Sequence, residues 1–422
     1  MDIRELLAGK YDCSCGMSHV CPIDSVVIGK NACDSLVKLC AEYENILVVA
    51  DKNTYAVGGE RVTEKIGGKI ADTLVFDMGD EVLVPDEKAL AAIESRLTDK
   101  IELIIGIGSG VINDLCKHVS YNAGLRYYIV ATAPSMDGYA SKGAALILDG
   151  MKITTNADVP RAIIGDVDIL KNAPFDMIQA GYGDIIGKYS CLNDWKLSNL
   201  VNGEYICNEV LETTYKEVEK TVKLADKLLQ RDEEAISALM QALVAVGILM
   251  AYVGNSRPAS GSEHHFSHYF EIVGIVRGED YLPHGIDVCY SAIETAIIRE
   301  ELASMENISE YAYNFNKESY ETNIRRVYGK LADEVLGLQN KLGWYNVDRV
   351  KVYREKWQEI RKIFAECPTS EQMRELIERV GLSYDSFREF YGEDKIKDAY
   401  LYAKDLKDRY SVLWMYYDLF AE

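Results

Sequence analysis

LIIGIGSGVINDLCKHVSYNAG, residues 103–124, decides the fold. It opens on a short apolar run of the kind that forms a buried strand. Glycines follow at 106, 108 and 110, and the remainder has helical periodicity until Gly124 stops it. Strand, glycine loop and helix in that order let backbone approach a pyrophosphate, with the N–H groups of a helix N-terminus aimed at its charge. The spacing departs from G-x-G-x-x-G, so a plain structural turn fits the same letters and the neighbouring sequence must decide.

Outward from this segment, β-branched runs at Ile46–Ala50, Thr73–Phe76 and Tyr128–Ala131 alternate with helical patterns such as Glu87–Leu97. Strands alternating with helices predict a parallel, Rossmann-like α/β sheet. Asp51 ends the strand ILVVA, where a carboxylate can accept from an adenosine ribose and disfavour a 2′-phosphate, or simply cap the next helix. The run Ala144–Thr155 predicts a hairpin about Asp149-Gly150. After Ile163–Asp166 the patterns turn helical, over Tyr205–Asp232, Glu233–Tyr252, Asp287–Glu300, Tyr311–Leu342, Asn346–Ala365 and Ser370–Val380. The division this predicts is an α/β domain over 1–172 and an all-α domain over 173–422, with Pro174 opening the first helix.

The 422 residues exceed the size at which one core stops growing. A net charge of −21 excludes the basic footprint of a nucleic-acid binder and requires any phosphate site to be locally basic or made of backbone N–H groups. MDIRELLAGKYDC has no apolar stretch followed by a cleavage site, and the apolar run Ala242–Val253 is too short to span a bilayer. The expectation is therefore a cytoplasmic protein without membrane insertion, its ten cysteines reduced.

Four of the six histidines fall in two short segments, His264, His265 and His268 in SEHHFSH and His284 in PHG. On a helix His264 and His268 share a face, whereas His265 points about 100° away. Asp184 follows two glycines in GYGD, where backbone can pack closely. One Asp and two His around a divalent ion leave open positions for a substrate oxygen. A separate cluster, Cys13-Ser-Cys15 with His19 and Cys21, has soft donors but matches no standard zinc finger, so reduced thiols on an N-terminal strap are the favoured reading.

Taken jointly, GIGSGVIND (106–114), TAPSMDGYASKGAALI (132–147), GYGDIIGKYSCLNDW (181–195), SRPASGSEHHFSHYFE (256–271) and PHG (283–285) resemble the sn-glycerol-1-phosphate dehydrogenases. These are a branch of the iron-containing alcohol dehydrogenase and dehydroquinate-synthase-like superfamily. The resemblance implies an N-terminal Rossmann-like domain, a C-terminal helical domain and a homodimer. It implies that Asp51, Gly108, Gly110, Val111, Ile112, Asn113, Asp114, Thr132, Ala133, Pro134, Ser135 and Ser141 contact NAD, with NADP the alternative. It implies Asp184, His264 and His284 as ligands of one divalent ion, whether zinc, nickel or iron, and Asp137, Asp184 and His268 as substrate contacts, Asp137 and His268 being the catalytic pair. The Cys/His-rich N-terminus is not needed by this chemistry.

The activity so implied is reversible reduction of dihydroxyacetone phosphate to sn-glycerol 1-phosphate, with His268 or water supplying the proton. For the phosphate, Lys188 and Arg257 are the cations to test, although each fits a salt bridge as well. A dehydroquinate-synthase-like lyase or cyclase and a glycerol or polyol dehydrogenase are rivals on the same fold, because function lives in the site. A non-catalytic binding protein is disfavoured by the retention of all three ligands together with Asp137 and His268.

Overall fold

The computed structural model describes residues 3–9, 11–79, 81–148 and 151–421. The strands in chain order are β1 (Tyr11–Asp12), β2 (Ser18–His19), β3 (Ser25–Gly29), β4 (Ile46–Asp51), β5 (Ile70–Phe76), β6 (Leu103–Gly108), β7 (Arg126–Ala131), β8 (Gly143–Leu148), β9 (Met151–Asn156) and β10 (Ala162–Asp166). The helices that position the sites are α1 (Lys52–Ile66), α2 (Glu87–Glu94), α3 (Gly110–Ala123), α4 (Phe175–Ile186), α5 (Lys188–Asn202), α6 (Asn208–Lys223), α7 (Glu233–Val253), α8 (Ser262–Arg277) and α9 (His284–Ser304). Packing divides the chain into one unit of Met1–Gly181 with Glu219–Asn255 and another of Tyr182–Val218 with Ser256–Glu422.

The first unit is built on a six-stranded parallel sheet, ordered β3-β10-β7-β6-β4-β5. Its central strands are buried on both faces, which is why they read as continuous apolar runs. Ile46, Val48 and Ala50 join Leu103, Ile105 and Ile107, Tyr128 and Val130, and Ala162 and Ile164 in one core, the two-residue period of a strand face. Leu47, Val49 and Ile104, pointing the other way, are equally buried. From β4 the chain moves outward to β5, whereas from β6 it moves the opposite way to β7, so the order reverses between β4 and β6. Such a reversal opens a crevice at the carboxyl ends of the two strands.

The hairpin forms as expected, β8 against β9 with Leu148 opposite Met151, although Asp149-Gly150 lies outside the described residues. Ser25–Gly29, not anticipated, adds an edge strand beside β10. The division expected at 172/173 differs from the packing, which assigns residues 173–181 and 219–255 to the sheet unit. The reason is α7. At 21 residues it is long and apolar enough to span a membrane, beyond the 242–253 run considered alone, yet 78% of its apolar window is buried. Gly165 on β10 leaves room for Met240, and at Gly247 a Cβ would come within 2.7 Å of the Asp137 carbonyl oxygen.

The second unit is all helical among the described residues. Arg299 on α9, 2% exposed, ties its helices together. It donates to Asp194 Oδ1 at 2.8 Å and to Asn193 Oδ1 at 3.0 Å on α5. Asp194 Oδ2 in turn accepts from Ser262 N–H at 2.7 Å, capping the start of α8. The pattern over Tyr311–Leu342, read as one helix, is broken into Lys317–Tyr328 and Ala332–Leu342 by Gly329 at φ 51°, ψ −118°.

Candidate active site

In the sheet unit the expected dinucleotide contacts gather at the carboxyl ends of β4, β6 and β7. Asp51 ends β4 and Gly108 ends β6, the two strands that flank the reversal. A side chain at Gly108 would put Cβ 2.5 Å from the Ile112 Cβ, so glycine is what lets α3 leave the strand so tightly. Ser109 stands at the N-cap of α3 without a side-chain hydrogen bond to it, leaving Gly110 and Val111 to present the first turn of N–H groups. Ile112 and Asn113 turn inward: Ile112 is 1% exposed, and Asn113 Oδ1 accepts from the Tyr127 hydroxyl at 3.2 Å. Any contact they make with a cofactor is through backbone.

Asp51 also caps α1. Its Oδ1 accepts from Asn53 N–H at 2.8 Å and Thr54 N–H at 2.9 Å, while Asp51 N–H donates to Thr54 Oγ1 at 3.0 Å. Both readings of this residue are compatible, because the cap uses one carboxylate oxygen. After β7, Thr132 N–H donates to the Gly108 carbonyl at 3.1 Å, and the Ala133 carbonyl accepts from Tyr139 at 2.7 Å. Pro134 packs so closely on α4 that a Cβ at Gly181 would meet its carbonyl oxygen. Ser135 follows in the same loop, half-buried.

Lys117, which the sequence did not single out, holds the segment from Asp137 to Gly143. Fully buried, it donates to the carbonyls of Gly138 at 2.8 Å and Gly143 at 3.0 Å and reaches Ser141 Oγ at 3.4 Å. Burial pushes its ammonium below the usual lysine range, opposed by the charges of Asp114 and Asp137. Asp114 is itself engaged, Oδ2 accepting from Ala145 N–H at 3.1 Å. Asp114 and Lys117 stand three positions apart on one helix face, a spacing that could have exposed the pair in the sequence.

The helical unit brings Asp184, His264, His268 and His284 together. Asp184 Oδ1 is 3.6 Å from His264 Nε2. The His264 ring centroid lies 5.1 Å from that of His284 and 6.4 Å from that of His268, and His268 lies 5.4 Å from His284. His265 is fully buried on the other side of α8, as the helical spacing predicts. The close approach of α4 and α9 is made by Gly183, where a Cβ would be 2.3 Å from the Gly285 carbonyl oxygen.

The His264 and His284 imidazoles are each oriented by a neighbour. Glu263 Oε1 accepts from His264 Nδ1 at 2.7 Å and from Gly261 N–H at 2.8 Å. The Ser267 hydroxyl donates to the His284 carbonyl at 3.3 Å and accepts from His284 Nδ1 at 3.0 Å. Both rings are thereby set to offer Nε2, the outer-shell arrangement of metal-binding histidines. Glu263 stands beside His264 in the sequence, but its role there could not be read without the contact.

Burial alone would push the Asp184 carboxyl up, but nearby positive charge, above all the Lys188 ammonium, outweighs it and holds it at about 2. Burial, with the charge of Lys188, keeps His264 well below the usual histidine range. An ionised carboxylate and a neutral imidazole are the forms a divalent ion needs, so this donor set fits one.

Of the two cations considered for a phosphate, Lys188 donates to Asp184 Oδ1 at 2.7 Å and to the Ala259 carbonyl at 3.0 Å. Arg257 donates to Glu204 Oε1 at 2.7 Å and to the Tyr410 carbonyl at 2.8 Å. Both are ion-paired and buried. Lys407, half-buried, is the cation whose charge falls on both His264 and His265.

Residues 27–174 match the family model described as iron-containing alcohol dehydrogenase. The chain is similar to a glycerol-1-phosphate dehydrogenase, NAD(P)+, of Halalkalibacterium halodurans, 34% identical over 288 residues, which are 67% of this chain and 72% of that protein. It is similar to another of that name from Bacillus licheniformis, 29% identical over 95% of this chain and 90% of that protein. Among solved structures, sulfoacetaldehyde reductase from Bifidobacterium kashiwanohense in complex with NAD+ shares the fold, with TM-score 0.60 and 15% identity over 96% of this chain and 99% of that one.

Proposed function

The chain belongs to the glycerol-1-phosphate dehydrogenases, and from that premise we propose that it reversibly reduces dihydroxyacetone phosphate to sn-glycerol 1-phosphate as an NAD(P)-dependent oxidoreductase. The observation that carries the reading is the convergence of Asp184, His264 and His284, with Nδ1 of both imidazoles engaged. When bound, NAD(P)H supplies the hydride, and a divalent ion held by these three residues withdraws electron density from the carbonyl oxygen.

The rest is the work of the chain. Lys188 keeps Asp184 ionised, Glu263 and Ser267 fix the two rings, and His268 donates a proton from a ring nitrogen to the C2 oxygen. Asp137, on the segment braced by Lys117, accepts a hydrogen bond from the substrate hydroxyl. Gly108, Gly110 and the first turn of α3 receive the pyrophosphate, and Asp51 binds the ribose, which favours NAD. Asp and His donors suit zinc, nickel and ferrous iron alike. The reading extends to a cytoplasmic homodimer, for which the family resemblance is the support.

NADH absorbance followed with dihydroxyacetone phosphate tests it, in protein stripped of metal and resupplied with zinc or nickel. We expect oxidation only with the metal restored and a loss of orders of magnitude in His264→Ala and His284→Ala. An undiminished rate in stripped protein would sink the metal's role. Equal turnover of unphosphorylated dihydroxyacetone would point to a polyol dehydrogenase, and silence with both ketones to the lyase.

A further inference from the structure

The N-terminal hairpin carries a second donor cluster that the chemistry above does not use, and it lies ahead of the residues 27–174 that match the family model. β1 and β2 pair antiparallel, Tyr11 opposite His19 and Asp12 opposite Ser18. The Ser18 hydroxyl donates across the ladder to Asp12 at 2.6 Å. Between the strands the loop closes on itself, Cys13 N–H donating to the Met17 carbonyl and Gly16 N–H to the Cys13 carbonyl, each at 3.0 Å. Gly16 has φ +85°, a conformation that other residues rarely adopt.

This loop brings the sulfurs of Cys13 and Cys15 and a ring nitrogen of His19 within 4.8 Å of one another. Cys15 Sγ is 3.4 Å from His19 Nε2. With Zn–S near 2.3 Å and Zn–N near 2.0 Å, a tetrahedral ion sets sulfur and nitrogen ligands about 3.5 Å apart and two sulfurs about 3.8 Å apart. The Cys15–His19 separation is that of two zinc ligands, and Cys13 Sγ lies within 4.8 Å of both.

His19 is 0% exposed, although it sits in a two-residue strand. Its ring stacks on Tyr252, with centroids 5.1 Å apart and planes 8° from parallel, and its Nδ1 is 3.1 Å from the Tyr252 carbonyl oxygen. Tyr252 lies in the last turn of α7, where carbonyls have no partner within the helix. The Nδ1–H group supplies one and thereby fixes the tautomer, turning the Nε2 lone pair toward Cys15. Metal-binding imidazoles are held in this way.

We propose that Cys13, Cys15 and His19 bind a structural zinc ion distinct from the ion of the active site. Two thiolates and an imidazole select zinc over the hard cations that oxygen donors hold, and binding releases the thiol protons. The ion fastens the hairpin to the end of α7, the helix whose Gly247 backs the carbonyl of Asp137. Its role is to brace that segment, with no part in the hydride transfer.

Cobalt distinguishes the two sites, because only the N-terminal one has sulfur ligands. Full-length protein loaded with Co2+ is expected to show a near-ultraviolet thiolate-to-cobalt charge-transfer band that persists in His264→Ala and disappears in the double variant Cys13→Ser, Cys15→Ser. The double variant should also lose one equivalent of tightly bound zinc. If it does not fold, X-ray absorption of zinc-loaded His264→Ala decides. A first shell with two or more sulfurs and a nitrogen supports the site. No charge-transfer band in the parent, or a shell of nitrogen and oxygen only, overturns it and leaves reduced thiols on a strap.

Discussion

Asp51 caps a helix and, under the proposed function, also accepts from a ribose; the two roles can be separated by one substitution. Serine caps as well as aspartate, so Asp51→Ser should change stability by less than about 0.5 kcal/mol while removing the carboxylate. Repulsion of a 2′-phosphate at about 4 Å is worth several kcal/mol near a protein surface. The ratio of kcat/KM with NADPH to that with NADH should therefore rise by about tenfold or more; an unchanged ratio would remove Asp51 from the cofactor site. Lys407 is the corresponding test for the phosphate. Lys407→Ala should raise KM for dihydroxyacetone phosphate about tenfold at unaltered metal content, and an unchanged KM would locate the phosphate elsewhere. At this scale the sequence was legible in which residues converge, as Asp184, His264 and His284 do. It was silent on Glu263, Ser267 and Lys117, whose roles depend on which atom folding sets beside them.

The central strands could be located almost to the residue because burial on both faces forces an unbroken apolar run. Ser25–Gly29, a half-buried edge strand, sends no such signal. The glycines of GYGD were legible as packing positions, and the helices they join show why. Gly183→Ala would drive Cβ into the Gly285 carbonyl, forcing α4 and α9 apart just where they carry Asp184 and His284. We expect a loss of about 1–3 kcal/mol and weaker metal binding, read by thermal melting and by metal content. Gly337→Ala is the control. In the helix Ala332–Leu342, with nothing within 4 Å of the added methyl, it should instead raise stability by up to about 1 kcal/mol. Equal effects of the two would deny the close approach its importance.

For the molecule as a whole, stability should carry a signature of Asp418. Tyr353 donates to its Oδ2 at 2.7 Å and Arg349 stands 3.8 Å away, yet burial outweighs both and pushes the carboxyl up to about 6. Below pH 4 folded and unfolded chains both hold this proton. Between about 4 and 6 only the folded chain does, so stability falls as pH rises through that window, by on the order of 3 kcal/mol in all. Asp418→Asn removes the titration, and its melting temperature relative to the parent should climb from pH 4 to pH 7; a constant difference would refute the assignment. The overall two-part character was legible in the change from alternating to purely helical patterns. The assignment of 219–255 to the sheet unit was not, because a helix that is apolar all round does not say what it will pack against. That assignment has a consequence during synthesis. The sheet unit stops at Gly181 and resumes only at Glu219–Asn255, so a ribosome adding about 5–20 residues per second needs roughly 4–15 s more to deliver α7. For that interval the nascent sheet waits without the helix that covers Gly165 and backs Asp137, its apolar surface bare to water and to other chains.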